Sequence, residues 1–304
     1  METNKMVIAA GTGFLGRAIM DRFPNYDFVI LCRNPKENSA RVRYVQWDGK
    51  TTGAWAKELE NAEAVINLTG RTVDCRYNEE NKKEIIESRT NSTSIIGKSI
   101  QACSNPPKLW INAGSATIYR HAIDRPMDEE TGEIGEGFSV DVCKQWEATF
   151  NEVETPKTRK VILRISMVLG KSAGVMPVLM KLVRLGLGGT QGKGNQYMSW
   201  IHESDFVNIV KWIMDHKEMS GTYNCSAPNP IPNADFMQKL RKACKIPFGL
   251  PAKEWMLEIG AVIIKTETEL ILKSRRVVPT KLLKSGFQFK YPEVDAAITE
   301  IVNS

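Results

Sequence analysis

Histidine is scarce in this 304-residue chain: three residues, at 121, 202 and 216, none in an H-x-x-x-H spacing. The six cysteines, at 32, 75, 103, 143, 225 and 244, form no C-x-x-C pair. No metal is expected, and the thiols are expected to be reduced, in a reducing compartment. There is no G-x-S-x-G, so a hydrolase nucleophile elbow has no foundation here. No apolar run reaches the roughly 18 residues of a membrane span, and the chain enters its first apolar run without a leader-type segment. A cytoplasmic location with no membrane partner is the expectation. The formal charge of +6 is spread along the chain rather than gathered with aromatics into a basic stripe, which argues against nucleic acid.

What is present is the material of a large α/β fold. Apolar residues make up 42% of the chain and charged ones 25%, which suits a globular protein with ample core. Apolar runs predict strands at 6–10, 27–32, 41–47, 62–68, 108–114 and 160–166. Helical stretches lie between most of them, around 14–23, 79–103 and 140–154. This alternation predicts an α/β Rossmann fold, a doubly wound parallel sheet with helices on both faces. After residue 170 come a glycine-rich loop (184–195), a helix, a short strand "GTYNCS", a Pro-rich linker "APNPIPN" and further helices. The expected division is a Rossmann domain over 1–170, with part of its sheet completed by 200–226, and a smaller C-terminal substrate-side lobe over 171–304.

"MVIAAGTGFLGRAIM" (6–20) carries the first functional signal. Gly11, Gly13 and Gly16 fit G-x-G-x-x-G between a strand and an amphipathic helix, a spacing that lets backbone approach a pyrophosphate. About 20 positions on, an acid would hold the ribose of NAD, whereas a base suits the extra phosphate of NADP. The chain places Arg33 there, in "FVILCRNP", with no Asp or Glu beside it. Its planar fork suits a phosphate, so NADP(H) is the expected cofactor. On the helix after the fourth strand, Ile85, Arg89, Ser92, Ile96 and Ile100 share one face. An arginine in an apolar stripe needs an anionic or carbonyl partner. Arg89 therefore belongs either to a structural ion pair or to the cofactor's phosphates or ribose.

"GTGFLG", "LCRNP", "VINLTG", "SATIY", "LRISMVLG" and "SWIHESDF" together resemble the extended short-chain dehydrogenase/reductase and sugar-nucleotide epimerase fold. "RLGLGG…GKGNQYMSWIHESD" and the tail "ELILKSRRVVPTKLLKSGFQFKYPEVDAAI" resemble an atypical subgroup, the NAD-dependent epimerase family proteins with a C-terminal domain of unknown function. Some members of that subgroup carry a cell-division-inhibitor label. The resemblance implies cofactor contacts at Thr12, Gly13, Phe14, Leu15 and Gly16, at Cys32 and Arg33, at Leu68, Thr69 and Gly70, and at Glu84 and Arg89. For Arg89 it agrees with the helical-face argument. Many relatives have glycine where this chain has Ala10.

Typical members of the superfamily use a tyrosine and a lysine four residues later on one helix, the ammonium stabilising the phenolate. None of the seven tyrosines here has a lysine four residues on. In "FSVDVCKQWEATF", alignment through Glu147 puts Ser139 and Cys143 at the two positions, and Cys143 is counted with the cofactor-lining residues. Lys144 is one step off, about 100° around the helix. Ser115 stands where such enzymes keep a hydroxyl for the reacting oxygen, and Tyr119 follows near the expected pocket mouth. His202 and Asp205 are similar to positions beside the substrate lobe, although Ser115 as a strand end and His202 as a satisfied core histidine are the plainer readings. The chain thus reads as an NADP(H)-dependent oxidoreductase or epimerase-like enzyme for an unidentified small molecule, monomeric or homodimeric. The rival reading is an NADP(H)-binding sensor with little or no turnover.

Overall fold

The computed structural model describes residues 4–264 and 267–304. Its first part runs β1 (Lys5–Ala9), α1 (Phe14–Arg22), β2 (Asp27–Cys32), β3 (Val42–Gln46), β4 (Ala64–Asn67), α2 (Glu79–Gln101), β5 (Leu109–Ser115), α3 (Phe138–Glu152) and β6 (Arg159–Ile165). There follow β7 (Met167–Leu169), α4 (Met176–Arg184), β8 (Tyr197–Met198), β9 (Trp200–His202), α5 (Glu203–Asp215), β10 (Gly221–Cys225), β11 (Ile231–Pro232) and α6 (Asn233–Ala243). The last elements are α7 (Glu254–Ile264), α8 (Glu269–Leu272), α9 (Thr280–Lys284) and α10 (Val294–Asn303).

Seven strands pair in parallel in the order β10-β6-β5-β4-β1-β2-β3. The chain order reverses between β1 and β4, so the connections leaving these two strands diverge. That opens a crevice at the carboxyl edge of the sheet, the place where open α/β sheets take ligands.

Strand periodicity explains why both faces are covered. Met6, Ile8, Phe28, Ile30, Ala64 and Ile66 point to one face, where they meet Ile19 of α1 and Phe206, Ile209 and Val210 of α5. Their neighbours Val7, Ala9, Val29, Leu31 and Val65 point the other way, onto Ile96 and Ile100 of α2 and Phe150 of α3. A strand apolar on both alternations is stable only between two helical layers. The α2 N-terminus is set by Asn78, whose side chain accepts from the Asn81 N–H at 2.8 Å.

A further core lies among the later elements. Met180 and Val183 of α4, Phe236 and Leu240 of α6, and Ala297 and Ile301 of α10 close around Trp200. The Pro-rich stretch read as a linker contributes β11, which pairs antiparallel with β8 through Ile231↔Met198 and Pro232↔Tyr197.

Candidate cofactor and substrate site

The turn between β1 and α1 shows why three glycines are needed. A Cβ on Gly11 would stand 2.8 Å from Ile30 Cδ1, and one on Gly16 would stand 2.2 Å from the Gly11 carbonyl. Those two positions let helix and strand close on each other. Gly13 is different: its Cβ would meet nothing nearer than 3.7 Å, and the residue is exposed. Here the open backbone faces space a ligand can use. The N-terminus of α1 has no side-chain cap and no acid in its first turn, which leaves its N–H groups suited to an anion. Phe14 packs on Gly170, where a Cβ would lie 2.4 Å from its ring, and Leu15 packs on the core. The carbonyl of Thr12 accepts from Arg17 at 2.8 Å.

Along the carboxyl edge, Cys32 is buried, which pushes its thiol up. Arg33 is exposed and makes no hydrogen bond or ion pair among the described residues. The Leu68 N–H donates to Ala9 O at 3.1 Å, and that of Thr69 to Asn67 Oδ1 at 3.1 Å. Gly70 admits Arg89, whose Cζ would lie 3.0 Å from a Cβ there. Arg89 finds carbonyl partners, Ile85 O at 2.9 Å and Arg71 O at 3.0 Å, and lies over the Trp146 ring. Glu84 is on the exposed side of α2, ion-paired with Arg71. Two hydroxyls at this edge, Thr69 Oγ1 just past β4 and Ser166 Oγ just past β6, are buried with no protein partner. The cradle at Gly13, the uncapped helix and these orphaned hydroxyls fit a dinucleotide.

Beside them, Ser115 ends β5 and accepts from the Thr117 N–H at 3.2 Å. Its hydroxyl reaches Cys143, whose thiol is pushed up to about 12, first by burial and then by Glu147. Tyr119, expected near the pocket mouth, is only 1% exposed. Its hydroxyl donates to Asn224 Oδ1 at 2.9 Å and accepts from Arg164 Nη1 at 2.8 Å, while Arg164 also forks onto Glu147 at 2.8 Å twice. The cation that the sequence lacked near this phenol thus arrives from β6. Burial raises the Tyr119 pKa more than Arg164 lowers it. Far from standing open at a pocket mouth, Tyr119 ties the end of β5 to β6 and β10.

His202 and Asp205, expected beside the substrate, serve the fold instead. His202 Nδ1 accepts from the Ser204 N–H at 3.1 Å, capping α5, and Nε2 meets Glu300 at 3.0 Å. Asp205 is fully buried and accepts from the N–H groups of Lys290 and Tyr291, each at 2.8 Å. Both hold down the C-terminal segment. The reason is local: the residues that start α5 face the tail rather than the crevice.

A family model, the NAD-dependent epimerase/dehydratase family, matches residues 6–226, well over half of the chain. The chain belongs to that family. A domain of unknown function, DUF1731, matches residues 254–301. The epimerase family protein YfhF of Bacillus subtilis is 29% identical over 303 residues, 98% of this chain and 97% of that protein. The human epimerase family protein SDR39U1, solved with NADPH, superposes with a TM-score of 0.88 at 28% identity, covering 99% of each chain. A nucleoside-diphosphate sugar epimerase from Corynebacterium glutamicum gives 0.78 at 26% identity, covering 99% of this chain and 58% of that one.

This epimerase-family chain also brings two residues to the site that sequence reasoning passed over. Tyr77, from the loop before α2, sets its hydroxyl 3.4 Å from Ser139 Oγ and its ring against Phe138. Arg275, from the DUF1731 segment, is near enough for its charge to act on Cys143. Neither sits in a spacing pattern, because both reach the crevice from distant loops. Among the described residues no three His, Cys, Asp or Glu side chains gather as a metal set, and no helix is long and apolar enough to cross a membrane.

Proposed function

We propose that this chain is an NADP(H)-dependent oxidoreductase or epimerase-like enzyme acting on a small molecule at the carboxyl edge of its sheet. The observation that carries the reading is the pairing of the Gly11–Gly16 cradle with Arg33, exposed and uncommitted where a 2′-phosphate is selected. The human relative solved with NADPH supports the same cofactor. When bound, the nicotinamide supplies or accepts the hydride. The chain's part is orientation and proton handling. Ser115 Oγ accepts from the Thr117 N–H and meets the protonated Cys143 thiol, which can donate to it in turn and leave the hydroxyl hydrogen for a substrate oxygen. Burial raises the Tyr77 pKa, so the phenol is a proton donor at neutral pH rather than a base.

One observation favours a second reading, an NADP(H)-binding sensor: Ser139 and Cys143 stand where the superfamily keeps tyrosine and lysine. A library of small carbonyl and hydroxyl compounds, followed by NADPH absorbance, separates the two. The enzyme reading expects oxidation of NADPH with one compound class, reduced in Ser115→Ala. Tight NADPH binding with neither NADPH oxidation nor conversion of any compound to an isomer across the library selects the sensor.

A further inference from the structure

Three arginines lie largely buried around this crevice, and two of them are satisfied. Arg164 forks onto Glu147 and donates to Tyr119. Arg89 bonds two carbonyls and lies over Trp146. Arg275 is as secluded, with its side chain 15% exposed, yet its Nε and Nη1 are buried with no acceptor among the described residues. Its remaining nitrogen, Nη2, stands 3.6 Å from Glu269, beyond hydrogen-bond length. A largely buried guanidinium lacking acceptors is costly, and such a group in a native structure calls for something that completes it, an ordered water, an ion or a ligand.

We propose that Arg275 anchors a carboxylate of the substrate, so that the compound handled here is a small organic acid. This rests on the oxidoreductase reading above. The guanidinium has two forks, Nε with Nη2 and Nη1 with Nη2, and the protein meets them only through the 3.6 Å ion pair of Nη2 with Glu269. A carboxylate matches either fork with two parallel bonds. Arg275 is held for this role from its backbone: its N–H donates to Tyr197 O at 2.8 Å, and its carbonyl accepts from Ser199 Oγ at 2.6 Å. The preceding Ser274 is pinned to His121 and to Ala122 O. The bonds of Ser274 to His121 and Ala122 bring this segment against the stretch that follows β5 and Ser115, so the carboxylate is assigned to the Ser115 side of the crevice. One guanidinium, held only by its ion pair with Glu269 while its two neighbours are already committed, suits a single negative charge better than a diphosphate. Glu269, which also holds Lys273 at 3.1 Å, is the group a ligand displaces.

The test is calorimetric titration of the NADPH-saturated protein with malonate and, separately, with inorganic phosphate. NADPH binding itself is measured first, and its absence in the wild type would count against the oxidoreductase reading alone. Malonate should bind saturably and more tightly than phosphate. Arg275→Met should weaken malonate at least about tenfold while NADPH affinity stays unchanged, and Arg275→Lys should fall between. Glu269→Gln should tighten malonate, a change in the opposite direction that a merely structural role for Arg275 does not produce. Thermal unfolding of Arg275→Met should be unchanged or raised, since an unsatisfied buried charge is removed. The proposal is overturned if neither anion binds, if phosphate binds better, or if Arg275→Met loses NADPH and malonate in equal measure.

Discussion

The hydroxyls of Tyr77 and Ser139 stand 3.4 Å apart. A phenol from the loop between β4 and α2 thereby reaches the first turn of α3, where the family resemblance places a tyrosine of the helix itself. The Tyr77 N–H is held by the Glu267 carboxylate at 2.8 Å, which fixes the loop against the C-terminal segment. Tyr77→Phe should lower turnover of a library substrate by about a hundredfold, the lower end of general-acid effects, with NADPH affinity unchanged. Tyr119→Phe should do the reverse, sparing the rate and costing about 1–3 kcal/mol of stability, because Arg164 and Asn224 lose a buried partner. Steady-state kinetics and chemical denaturation of both variants check this.

Arg33 should set cofactor preference. NADPH is expected to bind at least about tenfold tighter than NADH, roughly 1.4 kcal/mol. Arg33→Asp should weaken NADPH and spare or improve NADH. Since Arg33 is exposed and holds nothing in the protein, its melting temperature should not move. Equal affinities in the wild type remove the argument.

Ala10 sits at φ +57°, a left-handed conformation that costs a residue with a Cβ about 1–2 kcal/mol. Its N–H donates to Leu31 O and its carbonyl accepts from Gly13, so the turn has no freedom to relax. Ala10→Gly relieves that strain but adds about 0.4–1 kcal/mol of unfolded-state entropy. A net gain of up to about 1.6 kcal/mol is expected in urea denaturation; a loss would show that the turn carries no strain.

Asp205 carries a pH dependence. Burial is the largest influence on it and raises its pKa, although the Lys290 and Tyr291 N–H groups pull the other way. An acid raised on folding takes up a proton between its unfolded value, about 3.9, and its folded one. Its contribution to stability is therefore greatest below about pH 4 and is lost as pH rises through the folded value. Asp205→Asn removes this component. Relative to wild type, the variant's unfolding free energy should improve as pH is raised from about 4 toward neutrality. A constant offset would show that Asp205 titrates alike in both states.

Much of the fold was legible because its signals are local. Alternation in Met6–Ala9 and Phe28–Leu31 declares strands buried on both faces, and the spacing of Gly11, Gly13 and Gly16 declares the turn between β1 and α1. Arg89 was legible as a buried cation in need of partners, though which partners was not: they are two carbonyls and a ring. The rest depended on contacts between residues far apart in the chain. Tyr119 meets Asn224 and Arg164, His202 meets Glu300, and Asp205 meets the backbone at 290 and 291. Tyr77 and Arg275 arrive at the crevice from loops that no periodicity describes. The sequence by itself determined which segments become strands and helices and where a phosphate-friendly turn lies, because neighbours along the chain decide backbone conformation. Only the tertiary structure decided which hydroxyls and charges face the crevice and which are consumed in holding β5, β6, β10 and the C-terminal helix together. A side chain's chemistry is set by what surrounds it, and those surroundings come from the other end of the chain.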